Sequence, residues 1–85
     1  NFYSVAVTIL KGDNEMETQL INYSLDGNII DSKVVSYDEI AEGFFKITSK
    51  INSQHIERTT ITWIEDKKEA IEFFKIDKNG FIINQ

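Results

Sequence analysis

Strand-length runs with partly alternating apolar and polar positions follow one another along the chain, separated by short polar segments. These segments are rich in the residues that favour turns, and they lie at Lys11–Asn14, Asp26–Asn28, Asn52–Gln54, Glu65–Lys68 and Asp77–Gly80. Alternating runs joined by such turns are typical of an antiparallel meander. The chain has no proline, so nothing in it forbids full ladder pairing of any run.

The pattern predicts a single, mainly β domain over residues 1–85, built as a small antiparallel meander of about seven strands. The predicted strands are Phe2–Leu10, Glu15–Leu25, Asn28–Tyr37, Phe44–Ile51, Ile56–Ile64, Glu69–Ile76 and Phe81–Ile83. "FF" occurs at 44–45 and again at 73–74. Consecutive phenylalanines place one ring on each face of a strand, which favours a curled sheet or a small barrel over a flat sheet.

At most one short helix is predicted, near residues 37–42. Ser36 followed by Glu39 matches a capping box, and Gly43 could end the helix. Such a helix would have only one or two turns and would depend on packing. A polar connection between two strands is the alternative interpretation.

In the fourth and fifth predicted strands, apolar and polar residues separate to opposite faces of the sheet if odd-numbered residues pair with odd-numbered residues. This register places Phe45, Ile47 and Ile51 beside Thr59, Ile61 and Trp63. The opposite face then forms a candidate binding surface of Phe44, Lys46, Thr48, Lys50, Arg58, Thr60 and Thr62. A basic sheet face with an aromatic edge could bind single-stranded nucleic acid, as an OB-fold does, or an acidic peptide or protein.

A second candidate set is apolar and could form either the core or the lining of a small-molecule pocket. It consists of Phe45, Ile47, Ile61, Trp63 and Phe73. In so small a domain a tryptophan is more often the centre of the core than part of a ligand site. A carrier would instead need an enclosed apolar pocket of at least ~300 Å³.

Composition narrows the classes of function. Isoleucine outnumbers leucine fourteen to three, in keeping with a β-rich fold. The chain has no cysteine, which excludes disulfides and thiol catalysis. The net charge of −5 disfavours nucleic acid and favours a basic partner. No apolar run is long enough to span a bilayer as a helix.

Chemical motifs are scarce. "DKNG" at 77–80 could belong to a calcium loop, but aligning Gly80 with the loop glycine puts Lys75 at the first ligand position, so we interpret it as a hairpin turn. His55 is the only histidine, and paired glutamates such as Glu15 and Glu17 lack a visible cleft. We therefore expect no catalytic, metal or cofactor site, and no enzymatic activity.

The stretch "IIDSKVVSYDEIAEGFFKI", followed by a tryptophan-bearing strand and "KIDKNGFI", resembles small β-rich proteins of AT-rich bacteria. The resemblance implies a bacterial, non-catalytic domain that is exported or attached to the cell envelope. Because the chain begins with Asn1, we expect a processed form or an excised domain. The expected partner is another protein, or a second copy bound through an edge strand.

The hypothesis that follows is a protein-binding module, in its sharper form an acidic immunity or inhibitor protein for a basic partner. The alternatives are a small-molecule carrier with an apolar cavity and a structural domain of a longer envelope protein.

Overall fold

A computed structural model describes residues 1–39 and 43–85 of the chain. Seven antiparallel strands form one sheet in the order β1 to β7, so that each strand pairs with its neighbours in sequence. The strands are β1 (Phe2–Lys11), β2 (Glu15–Ser24), β3 (Ile29–Glu39), β4 (Phe45–Ile51), β5 (His55–Thr62), β6 (Lys68–Ile76) and β7 (Ile82–Asn84).

The predicted meander of seven strands is confirmed, and the sheet is open rather than closed into a barrel. The predicted helix near residues 37–42 is not seen in the part that can be compared. Tyr37–Glu39 belong to β3, and residues 40–42 lie outside the described residues. Within those residues the structure contains no helix, and therefore none long and apolar enough to cross a membrane.

The turns form where the sequence indicates. At the last turn the Asp77 carboxylate accepts hydrogen bonds from the main-chain N–H groups of Asn79 (2.8 Å) and Phe81 (3.0 Å). Gly80 follows with a φ of 91°, in the left-handed region that favours glycine. These contacts confirm the interpretation of "DKNG" as a hairpin turn.

The sheet changes direction at β3. Register shifts interrupt the β2–β3 ladder, and such irregularities increase local twist and bend the strand. β3 pairs with β4 only at Tyr37 and Asp38. Farther along β3, side chains replace the missing ladder: Ser49 Oγ donates to the Val35 carbonyl (2.6 Å), and Arg58 donates to the Val34 carbonyl (3.1 Å).

This bend allows β5, β6 and β7 to pack against the first three strands. Six apolar side chains are buried as one cluster: Leu20, Val35, Ile56, Phe74, Ile76 and Ile82. Phe2 packs against them. Asn22, which is fully buried, connects the two parts because its side-chain N–H donates to the Gly80 carbonyl (2.8 Å) while its Oδ1 accepts from Ser4 (2.7 Å). Its buried amide is therefore satisfied at both ends.

One row of paired residues crosses the sheet from β1 to β6 and divides it into two halves. The row consists of Ile9, Glu17, Tyr37, Ile47, Thr60 and Ala70. We call the row and the residues on its side of the β1–β2, β3–β4 and β5–β6 connections the acidic half. Among the described residues this half consists of 9–17, 37–39, 43–47 and 60–70, and the remainder is the neutral half. All six residues of the buried cluster lie in the neutral half.

Candidate interaction surfaces

The β4–β5 register differs by one residue from the predicted register, which is wrong. Ile47 pairs with Thr60 and Lys46 pairs with Ile61, so odd positions of one strand oppose even positions of the other. The loop between the strands determines this register, because it leaves an even number of residues, 52–55, between the paired residues Ile51 and Ile56. Asn52 Oδ1 stabilises the loop by accepting hydrogen bonds from the main-chain N–H groups of Gln54 and His55. A one-residue slip moves every side chain of one strand to the other face.

The candidate binding surface is consequently divided between the two faces of the sheet. Lys46, Thr48 and Lys50 share a face with Glu57, Thr59 and Ile61. The residues on the other face are Arg58, Thr60 and Thr62. The structure does not assemble the seven predicted residues into one basic patch.

Arg58 has a structural position that the sequence did not indicate. Its guanidinium lies over the ring of buried Phe74, 4.9 Å from the ring centroid, and Lys33 Nζ lies 4.6 Å from the same centroid. Arg58 also binds Glu72 through two nitrogens, at 2.7 and 3.2 Å. Arg58 therefore stabilises the packing of β5 and β6 against β3. Its guanidinium contacts a carboxylate, a main-chain carbonyl and an aromatic ring.

The candidate core or pocket residues are also dispersed. Trp63 is 38% exposed and Phe73 is 51% exposed, so neither is the centre of the core. That position belongs to Phe74, which is 1% exposed, together with Ile56. The doublet at 73–74 does place one ring on each face, but with the assignment opposite to the predicted one.

Two open clefts lie on the surface of the described chain. One, of 390 Å³, is lined by Lys50, Ile51, Asn52, His55, Ile56, Glu57, Phe73 and Gln85. The other, of 490 Å³, is lined by Phe2, Ser53, Gln54, Lys75, Ile76, Asp77 and Lys78. Of the five predicted pocket residues, only Phe73 borders either cleft. Both clefts are open at the surface, which distinguishes them from the enclosed apolar cavity of a carrier.

Charge is distributed unequally between the halves. The acidic half carries eight carboxylates and four lysines among its described residues, and the neutral half carries five of each sign. The acidic-half residues are Asp13, Glu15, Glu17, Asp38, Glu39, Glu65, Asp66 and Glu69, with Lys11, Lys46, Lys67 and Lys68. The negative field of the protein is therefore centred on one end of the sheet.

The same half carries a second row of paired residues in which apolar and charged side chains are mixed. This row, which we call the Leu10–Glu69 row, contains Leu10, Met16, Asp38, Lys46, Ile61 and Glu69. Directly paired residues lie on the same face, so the row is one continuous strip across six strands. Phe44 and Trp63 extend it, because the Trp63 N–H donates to the Phe44 carbonyl (2.9 Å). Four predicted residues, from both candidate sets, thus meet here: Phe44, Lys46, Ile61 and Trp63.

Two carboxylates of the acidic half are held by short polar contacts. The Tyr37 hydroxyl donates to Glu15 Oε1 (2.5 Å), and this bond, helped by burial and by nearby carboxylates, raises the pKa of Tyr37 to about 12. Glu17 accepts from Gln19 (2.8 Å) and from Lys11 (3.1 Å). Those bonds lower the pKa of Glu17, with the Gln19 contact contributing most. Both glutamates are therefore tied into the sheet as charged acceptors.

Comparisons with family models, curated proteins and solved structures found no match to this chain. The interpretation of the site therefore depends on its geometry. Among residues 1–39 and 43–85, no three His, Asp or Glu side chains converge as a metal site would require. What the geometry brings together is an acidic field and the Leu10–Glu69 row with its exposed neighbours Phe44 and Trp63, a combination that sequence reasoning missed because the row depends on the β4–β5 register.

Proposed function

We propose that this chain is a non-enzymatic protein-binding domain whose acidic half binds a basic protein, in the manner of an inhibitor or immunity protein that covers a basic surface. The observation that carries the proposal is the coincidence of two features. The excess of negative charge lies in the same half of the sheet as the Leu10–Glu69 row and its exposed aromatic neighbours Phe44 and Trp63, while the buried cluster occupies the other half.

The exposed side chains supply the kind of anchors that protein interfaces use. Trp63 and Phe44 lie side by side next to Ile61 and Lys46 of the Leu10–Glu69 row, and Leu10, which is 70% exposed, lies at the β1 end of that row. Interface hot spots are enriched in aromatic residues that fill pockets of the partner. Asp38 lies between the two ends and could pair with a cation of the partner at the centre of the contact.

The charge supplies long-range attraction. Eight carboxylates at one end of a small domain steer a basic protein toward that end, an effect that acts mainly on the association rate and on specificity. Because Glu15 and Glu17 are already hydrogen-bonded within the sheet, the carboxylates free to meet a partner directly are those nearer the turns, such as Asp13, Glu65 and Asp66.

The proposal is tested by affinity capture from the cells that make the protein, with the immobilised chain compared with two variants. Trp63→Ala removes the aromatic anchor, and the pair Glu65→Lys and Asp66→Lys reverses charge beside it. We expect a basic protein to bind the native chain and to be lost from both variants. With the purified partner, the association rate should fall about tenfold or more between low and physiological salt.

The matched control reverses charge in the neutral half, through Asp26→Lys and Glu57→Lys. This variant should retain the partner with an association rate within about threefold of the native chain. Equal loss in the control, or a captured protein that is itself acidic and binds independently of salt, would contradict the proposal.

A further inference from the structure

The outer edge of β1 is a second candidate binding site, and the argument for it is independent of the proposed function. β1 is the first strand of the sheet, and within the described residues no strand pairs with its outer edge. We propose that this edge binds a second copy of the same chain, with the two β1 strands antiparallel about a two-fold axis at Ala6. The result is a dimer with one continuous sheet of fourteen strands, twice the seven of the chain.

The sequence of β1 is nearly palindromic about Ala6. In the proposed register Val5 faces Val7 of the other copy, Ser4 faces Thr8, Tyr3 faces Ile9 and Phe2 faces Leu10. Each pair joins side chains of the same kind: two valines, two hydroxyls, and an aromatic with an aliphatic residue. Cross-strand pairs of these kinds stabilise a sheet, and a two-fold interface requires a self-complementary strand.

The geometry of the strand restricts the register further. Alternate residues of β1 direct their main-chain N–H and C=O groups toward β2, so only the remaining residues can bond a new strand. Two β1 strands can therefore pair only if facing residues are both even or both odd. The register about Ala6 meets this condition, uses all of Phe2–Leu10 and forms about eight to ten main-chain hydrogen bonds. A register centred on Val7 would place Tyr3 opposite Lys11.

The surface of β1 is suited to being covered. Tyr3, Val5, Ile9 and Leu10 are all exposed, and Lys11 is the strand's only charged residue. Natural sheets usually protect a free edge with charges, proline or bulges, and β1 has none of these between Phe2 and Leu10. Pairing of β1 with β6 of another copy would instead propagate without closure, whereas β1 with β1 gives a closed dimer.

Cysteine substitution tests the register directly because the chain has no cysteine of its own. In Ala6→Cys the two thiols face each other across the axis, within the Cα separation that a disulfide needs. In the control Thr8→Cys the two thiols are about four residues apart along the strands, or roughly 13 Å. Under mild oxidation, Ala6→Cys should form a covalent dimer at least about tenfold faster than Thr8→Cys, while a mixture of Val5→Cys and Val7→Cys should cross-link with each other.

The native chain supplies the second measurement. Light scattering should give twice the 9.8 kDa of the chain at high concentration, with dissociation on dilution. Ala6→Lys places two lysines opposite each other and should raise the dissociation constant about fivefold or more, with unchanged circular dichroism. A native chain that stays monomeric up to millimolar concentration overturns the proposal. So do larger open-ended assemblies, or equal cross-linking of Ala6→Cys and Thr8→Cys.

Discussion

The two halves of this sheet are held together by different interactions. The neutral half contains the whole buried apolar cluster and balanced charge, with Arg58 and Lys33 covering the Phe74 ring. The acidic half has no fully buried apolar side chain among its described residues, and polar contacts such as Tyr37 to Glu15 hold it instead. Both halves expose apolar side chains, such as Phe73 in the neutral half and Trp63 in the acidic half, so the two halves differ in their buried apolar cluster and in their charge.

The comparison is tested most severely by two neighbouring residues of β6. Phe74→Ala removes the most buried ring of the neutral half and should reduce the free energy of unfolding by about 3–5 kcal/mol. Phe73→Ala removes an equally large but exposed ring and should cost less than about 1 kcal/mol. Urea unfolding followed by tryptophan fluorescence measures both. Similar losses for the two variants would show that the core does not lie on the Phe74 side of the strand.

Some parts of this fold can be predicted from local sequence and others cannot. The strands and turns follow from Gly, Asn and Asp at the turn positions, and all seven predicted strands begin within one residue of the observed start. Register is harder to predict, because it depends on whether a loop has an even or odd number of residues. The residues of the Asn52–His55 loop do not reveal which face of the adjoining strands is buried. The doublet at 73–74 does not reveal it either, because its two residues are identical.

The Leu10–Glu69 row was not predicted from the sequence because it too depends on strand register. Its residues come from six strands, and only the correct pairing at Lys46 and Ile61 places them in one row. The bend at β3 leaves no local signal in the sequence, since it depends on Ser49 and Arg58 reaching main-chain carbonyls of residues 14 and 24 positions earlier in the chain. Long-range contacts of this kind have no local periodicity from which to be predicted.

A second test concerns the packing of the neutral half and uses two of its glycines, which have similar backbone conformation. Gly80 in the neutral half has a φ of 91°, and a Cβ there would lie 3.0 Å from Ile30 Cδ1 and 3.1 Å from the Phe2 ring. Gly27 has a φ of 88° with open space around it. Gly80→Ala should cost about 2–4 kcal/mol, from backbone strain plus crowding, whereas Gly27→Ala should cost only about 1–2 kcal/mol of strain.

Thermal or urea unfolding of the two alanine variants gives the difference directly. Because both share the positive φ, the excess for Gly80→Ala measures how tightly the β6–β7 turn packs on β1 and β3. An excess near zero would mean that this turn rests loosely on the first three strands, and that the neutral half is not a single packed unit.

The smallest expected effect lies in the acidic half and depends on pH. The pKa of Tyr37 is raised to about 12 by its bond to Glu15, so the phenol stays protonated in the folded protein at pH values where an ordinary tyrosine, with a pKa of 10.0, ionises. Its contribution to stability is therefore complete below about pH 10 and is lost as the pH rises toward 12. NMR titration of the ring carbons should show this ionisation near pH 12, and Glu15→Gln should return it toward 10. If Tyr37 ionises at the same pH with and without the Glu15 carboxylate, this bond does not hold β2 and β3 together in the acidic half, and the contrast with the apolar cluster of the neutral half loses its polar counterpart.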